Sequence, residues 1–343
     1  MIDRYTVVMS LPKDLGDCLI CTPAINAVIK YCEKNHLSLV AVGGKLQRGW
    51  IETLSGAVLP YRDVAEIEGL KPRFAVNFNF HDEDMIKKLS PDTKVYAPEK
   101  MTVVNNDTFI FGEGAIVGKK HIAKSLNDCL KAAGVIAKSV KLGAPVLSAN
   151  IVSEEARNNA LAEFGIKGPY AALVPVCAVN RPWKRWQPER FAEIAKKAAA
   201  EGITPVLFGG PSDDEKKLTA EINEMSGGVC KTVHANIDKV AALMSGTKFT
   251  LSNDTGLFHI AAAAGKPTFG LFGYYNDHNT WRPAQKNSYI INGDKIQNLS
   301  VDDVYKTIKS TIEINSTKRV FNSAAAKKAK SCIRAKLASK PKF

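Results

Sequence analysis

Along most of the chain, short runs of β-branched and aliphatic residues alternate with stretches that carry apolar residues at helical spacing. Tyr5–Met9 (YTVVM) reads as a buried strand, followed by a helix from about Cys18 to Asn35. Leu37–Val42 (LSLVAV), stopped by Gly43-Gly44, reads as a second strand, and Arg73–Phe80 as a third. Residues 120–134 (KHIAKSLNDCLKAAG) have a helical pattern that stops at a glycine. The pattern lapses around 140–152 (GAPVLSANIV), the best candidate linker, and then resumes. Strands are predicted at 170–176, 204–208, 249–252 and 268–272, and helices at 188–201, 213–225, 237–245, 257–264 and 301–314.

Strands and helices that alternate with short connections imply parallel sheets wrapped by helices. The chain length of 343 residues fits two such units. The expected architecture is α/β, with two doubly wound, Rossmann-like domains facing a central cleft. The domains are residues 1–150 and 151–316, with a basic and helical tail at 317–343. Ligands of open α/β sheets sit outside the carboxyl ends of the strands, so the loops there are where chemistry is sought.

Three of those loops stand out in the second half. Phe249–Ser252 runs into Asn253-Asp254-Thr255-Gly256 and then a small-residue helix. The unpaired N–H groups and dipole of a helix start make a site for a diphosphate, and Gly256 lets a ligand approach the backbone. An ordinary capped helix has the same local sequence. Asp254, an anion, fits the turn or a ligand hydroxyl better than it fits phosphate. His259 lies on the same helix, three residues after Gly256, where it can face the same end of the cleft. The loop Asn180–Pro188 (NRPWKRWQP) carries Lys184, a mobile point charge suited to phosphate; the alternative is a solvated basic loop anchored by its two tryptophans. Gly209–Glu215 offers carboxylates, Asp213 among them, that suit a ribose or simply a helix's first turn.

In the first half, Leu11–Asp17 (LPKDLGD) follows the first strand. Asp17 is the candidate general base, with Asp14 one turn earlier positioned to raise its pKa by like-charge repulsion. The competing role for Asp17 is as N-cap of the next helix. Cys18 and Cys21 form a Cys-x-x-Cys at a helix start, but the apolar residues between them point to core packing rather than redox or metal chemistry.

Composition changes this picture in one place. The net charge is +13, yet Lys318 to Phe343 contains nine Lys or Arg and no Asp or Glu, leaving about +4 for the rest. Residues 318–343 are therefore expected to meet an anionic membrane surface, or else to be a solvated tail. Nucleic acid is a poorer partner, because the tail lacks interleaved stacking aromatics. The seven cysteines show no disulfide framework, and the early charges of MIDRYTVVMSLPKD do not suit a secretory segment. A cytoplasmic protein that touches a membrane is the expectation from the residues.

Taken in order, these residues resemble glycosyltransferase family 9, the lipopolysaccharide heptosyltransferases. The resemblance rests on Leu15-Gly16-Asp17 with Thr22-Pro23-Ala24, on Lys184-Arg185-Trp186, and on Asp254-Thr255-Gly256-Leu257-Phe258-His259 with Ala261–Ala263 and Lys266-Pro267. It covers roughly residues 5–315. It implies a GT-B fold, no catalytic metal and no cofactor, and it places the membrane contact on the inner face of the inner membrane. The implied donor is ADP-L-glycero-D-manno-heptose, held mainly by the second domain, and the implied acceptor is a lipid A–Kdo glycolipid, held mainly by the first. By position, Asp17 is the base, Lys184, Thr255 and Gly256 hold the diphosphate, Asp254 and His259 line the donor site, and Asp213 lies near the ribose. Lys13, Asp14 and Gly16 fall on the acceptor side. A GT-B-shaped nucleotide-sugar epimerase and a non-catalytic glycolipid-binding protein are the alternatives of other classes.

Overall fold

The computed structural model describes residues 2–79, 87–97, 121–178, 181–273, 278–315 and 317. The basic tail, 318–343, lies outside the described residues. Residues up to Asn298 form one compact unit and those from Leu299 another.

The first unit holds two sheets, and every strand pairing in them is parallel. The first is made of β1 (Ile2–Ser10), β2 (Ser38–Val42), β3 (Tyr61–Arg62), β4 (Lys71–Asn77) and β5 (Val95–Tyr96), in the order β3-β2-β1-β4-β5. The second is made of β6 (Tyr170–Val174), β7 (Thr204–Gly209), β8 (Lys231–His234), β9 (Thr250–Asn253), β10 (Thr268–Phe272) and β11 (Ser288–Asn292), in the order β11-β10-β9-β6-β7-β8. Both are doubly wound orders, which reverse direction once. The reversal falls between β1 and β4 in the first sheet and between β6 and β9 in the second, and these are the points at which a crevice opens above the strand ends.

The central strands are covered on both faces and read as continuous apolar runs. Val7, Val8 and Met9 of β1 are fully buried, as are all of β6 and β10. The helices of the first half are α1 (Leu15–Lys34), α2 (Lys45–Ser55) and α3 (Ile122–Ala132), and those of the second are α4 (Glu154–Glu163), α5 (Pro188–Ala200), α6 (Asp213–Met225), α7 (Ile237–Met244), α8 (Gly256–Ala263) and α9 (His278–Trp281). α1 continues through Pro23, whose ring nitrogen cannot donate to the Leu19 carbonyl. The Thr22 hydroxyl donates to that carbonyl instead, at 2.8 Å, so the buried acceptor keeps a partner.

Several elements escape the sequence pattern for physical reasons. α4 (EEARNNALAE) buries only Ala160 and has no apolar stripe. β8 has one fully buried residue, Val233, and β11 none, because each is an edge strand. α2 follows directly on the glycines that seemed only to end β2. The second unit contains a helix over 301–315, with Val301, Val304, Tyr305 and Ile308 buried along one face. Among the described residues no helix is long and apolar enough to cross a membrane.

Candidate active site

The loops at the two reversal points carry the residues singled out above. After β1, Asp14 is the N-cap of α1 in extended geometry, and its side chain makes no capping bond. Leu15 and Gly16 open the helix, and Asp17 is in its first turn. The sequence pattern starts this helix at Cys18 and leaves Asp17 available as a cap. The structure starts it three residues earlier, and Asp17 is turned inward. Asp17 is only 9% exposed. Burial pushes its carboxyl up from 3.8 to about 7; Asp14 pushes the same way, Arg181 opposes, and smaller contributions come from Asp254, which raises it, and Lys184, which lowers it. The like-charge effect expected of Asp14 is present but second to desolvation.

After β9, Thr255 is the N-cap of α8 and its side chain makes no capping bond. The starts of α1 and α8 abut. A Cβ added to Gly16 would stand 3.1 Å from His259 Cδ2 and 3.4 Å from Gly256 Cα. A Cβ on Gly256 would stand 3.0 Å from both Gly16 N and Leu15 Cβ. A side chain at either position would crowd the facing helix start, so the chain's own packing favours glycine here, a reason the ligand-approach argument for Gly256 did not supply. Leu19 of α1 and Leu54 of α2 belong to the core that fills the second half.

Asp254 neither caps the helix nor stands apart: its carboxylate accepts a hydrogen bond from Lys184 Nζ in an ion pair whose side chains are 16% (Lys184) and 9% (Asp254) exposed. The loop bearing Lys184 is pinned to β9. Trp186 N donates to Asn253 Oδ1 at 3.2 Å, and Asn253 Nδ2 donates to Pro175 O at 2.7 Å. Trp186 is buried edge-on against Phe191, centroids 5.3 Å apart. Only this tryptophan anchors the loop, since Trp183 is 45% exposed.

His259 is buried, and desolvation pushes its pKa down to about 4 against the pull of Asp254, so the ring is neutral near pH 7. It lines a crevice with Leu19, Ile20 and His121. His121 caps α3: its Nδ1 accepts from Ala123 N at 3.2 Å, which puts the proton on Nε2, and Nε2 donates to Arg282 O at 2.9 Å.

The remaining candidates sit further out. Asp213 is the first residue of α6, fully exposed, and pairs with Lys216 of its own helix at 3.1 Å. The structure does not bring it against the other site residues. Lys13 and Asp14 are exposed at the start of α1, where the Lys13 carbonyl accepts from Gln47 Nε2 at 2.9 Å. The Cys18 and Cys21 thiols are buried and pushed up by desolvation, as core cysteines are. Arg181, whose charge acts on Asp17, and His121, whose charge acts on His259, were not singled out as site residues. Arg181 had a signal, its place three residues before Lys184. His121 had none beyond opening a helix.

The arrangement provides a buried carboxyl titrating near neutrality, a lysine held by a carboxylate at the neighbouring helix start, and first-turn N–H groups at that start. A carboxyl of this kind is matched to general-base work near pH 7.

Known proteins resemble this chain in sequence and in fold. The sequence profile of glycosyltransferase family 9 (heptosyltransferase) fits residues 122–309, more than half of the 343-residue chain. Lipopolysaccharide heptosyltransferase 2 of Escherichia coli (strain K12) is 29% identical over 147 residues, which is 41% of this chain and 42% of that protein. The aligned stretch thus spans well under half of that relative's length. In three dimensions, the E. coli ADP-heptose lipopolysaccharide heptosyltransferase II superposes with a TM-score of 0.66 at 15% identity, over 91% of this chain and 99% of that one. An E. coli heptosyltransferase solved with ADP superposes with a TM-score of 0.65, also at 15% identity, over 89% of this chain and 99% of that one. The fold is therefore the two-domain GT-B arrangement, and the chain belongs to glycosyltransferase family 9, the heptosyltransferase family.

Proposed function

We propose that this protein is an inverting, metal-independent glycosyltransferase. It moves a heptose from ADP-L-glycero-D-manno-heptose to the Kdo/heptose inner core of lipopolysaccharide. The observation that carries this reading is Asp17: a buried carboxyl titrating at about 7, at a helix start that abuts the start of α8. Inverting transfer needs one base for the acceptor hydroxyl and a stabilised leaving diphosphate, and the site offers both on facing loops. The names of the relatives support the sugar, since structures among them carry ADP and ADP-2-deoxy-2-fluoro heptose.

In this reading Asp17 takes the acceptor proton as the hydroxyl attacks the anomeric carbon, and the glycosidic bond to the diphosphate breaks on the opposite face. Lys184 and the first-turn N–H groups at Thr255 and Gly256 take up the charge that develops on the diphosphate. Asp254 holds Lys184 in place until then. His259, neutral, offers a hydrogen bond rather than a charge, and Asp213 reaches the ribose from the next loop. Residues 1–150 mainly serve the acceptor and 151–316 mainly the donor, and residues 318–343 dock the protein on the cytoplasmic face of an anionic membrane.

The test is transfer by the purified chain from ADP-heptose to a Kdo-bearing lipid A. Asp17→Ala abolishes turnover while ADP still raises the melting temperature. Near-normal turnover in that variant removes Asp17 as the base, and loss of activity in EDTA, restored by a divalent ion, removes metal independence.

A further inference from the structure

Trp183 and Lys184 are consecutive residues of one 3-10 turn, Pro182–Lys184, and they face different surroundings. Lys184 reaches Asp254, whereas Trp183 borders a cavity of about 310 Å³ with Pro182, Gly273, Lys295, Ile296 and Gln297. That volume is at the lower end for small-molecule sites. The same loop buries one indole completely at Trp186 and leaves this one 45% exposed.

The walls of the cavity are firmly built. A Cβ on Gly273, directly after β10, would lie 2.8 Å from Ile296 N, so only glycine lets the segment after β11 close against the strand end. Ile296 is fully buried. Gln297 is held from both ends: its Nε2 donates to Arg185 O at 3.2 Å, and its carbonyl accepts from Gln187 Nε2 at 3.3 Å. Lys295 is exposed at the rim, next to Asp294, whose carboxylate accepts from the Lys295 backbone N–H at 2.8 Å and feels the Lys295 charge. An indole face, the exposed Pro182 ring, amide groups and an ammonium suit a pyranose ring with an anionic substituent. Its C–H face stacks on the indole, its hydroxyls stay hydrated, and its charge meets the lysine.

The sheet order places the cavity relative to the substrates. In β11-β10-β9-β6-β7-β8, the diphosphate loops follow β9 and β6, and Asp213 follows β7. The cavity lies beyond the ends of β10 and β11, with Pro182 and Trp183 of the loop after β6 as its third wall, on the side of the sheet opposite β7, where the proposed function puts the nucleoside. We propose that it is a saccharide subsite for a pyranose bearing a carboxylate or phosphate, an outlying sugar of the acceptor glycan. This assignment rests on the transferase reading above.

The experiment uses the full-length protein. Glucuronate, glucose 6-phosphate and glucose are titrated while indole fluorescence is followed, in the wild type, Trp183→Ala and Lys295→Ala. The two anionic sugars are expected to give a saturable change with affinity about tenfold above that of glucose. Trp183→Ala abolishes the change, Lys295→Ala removes the preference for the anionic sugars, and ADP does not compete. No saturable change, equal affinity for glucose, or competition by ADP overturns the subsite. In the transfer assay, Lys295→Ala raises the acceptor KM about tenfold and leaves donor KM and kcat in place. An unmoved acceptor KM with sugar binding intact assigns the pocket to a free sugar phosphate and overturns the acceptor role. A wild type that binds the anionic sugars but transfers nothing overturns the transferase reading and leaves the saccharide site standing.

Discussion

Replacing Asp17 with asparagine separates what this carboxyl does for catalysis from what it costs the fold. In the folded chain it titrates at about 7 rather than 3.8, chiefly through burial. At roughly 1.4 kcal/mol per tenfold change, ionising it costs about 4 kcal/mol more in the folded state than in the unfolded one. The sign follows from the raised value. The folded chain binds the proton more tightly, so Asp17's contribution is complete below pH 3.8, declines as the pH rises, and is lost above about 7. Asparagine has nothing to ionise. The stability of Asp17→Asn relative to wild type should therefore climb by about 3 kcal/mol between pH 5 and pH 8 and then level off. His259 acts in the opposite sense, its neutral form favoured by a pKa pushed down to about 4, but it is present in both proteins and cancels in the difference. Urea unfolding of both proteins at the two pH values measures it. A difference that stays constant with pH would refute the claim that Asp17 is buried at a cost, and the case for a base titrating near neutrality would go with it.

With Asp17 as the proposed base, the same titration is expected to set the rate. Transfer at low substrate should fall about tenfold for each unit of acidification below pH 7 and be flat above, with the apparent pKa near 7 read from kcat/KM. Lys184→Ala strands the Asp254 carboxylate, which is 9% exposed, and should cost about 3 kcal/mol of stability. Adding Asp254→Asn should recover most of that in unfolding experiments, while ADP binding stays weakened in single and double variants alike. Thr22→Val leaves the buried Leu19 carbonyl without its 2.8 Å partner and should cost about 1–3 kcal/mol, seen as a lower urea midpoint with normal transfer kinetics.

Much of the fold was legible because buried parallel strands are continuous apolar runs. Thr268–Phe272 and Asp213–Met225 lie where the pattern puts them. What was missed is what burial does not mark: the edge strands Lys231–His234 and Ser288–Asn292, and the helix Glu154–Glu163, which buries a single alanine. Neither the strand order of the two sheets nor its reversal can be read from a one-dimensional pattern. The reversal is what turns a set of strand-end loops into two facing crevices.

The sequence marks the candidate site residues and shows less of their arrangement. Asp17, Lys184 and Asp254 were visible as charged residues on strand-end loops, where a solvated charge needs no explanation and a buried one does. The sequence does not show that Asp254 spends its charge on Lys184, or that Thr255 rather than Asp254 caps α8. Nor does it show why Asp17 titrates at about 7. The leading cause is desolvation, ahead of every neighbouring charge, and beside Asp17 the chain meets a distant segment: Gly16 and Gly256 let two helix starts close to within van der Waals contact. Each glycine alone reads as a local turn feature. Together they bring the start of α8 against the helix that carries Asp17, so the raised pKa of this carboxyl belongs with how the two helix starts pack rather than with the Leu-Gly-Asp motif alone.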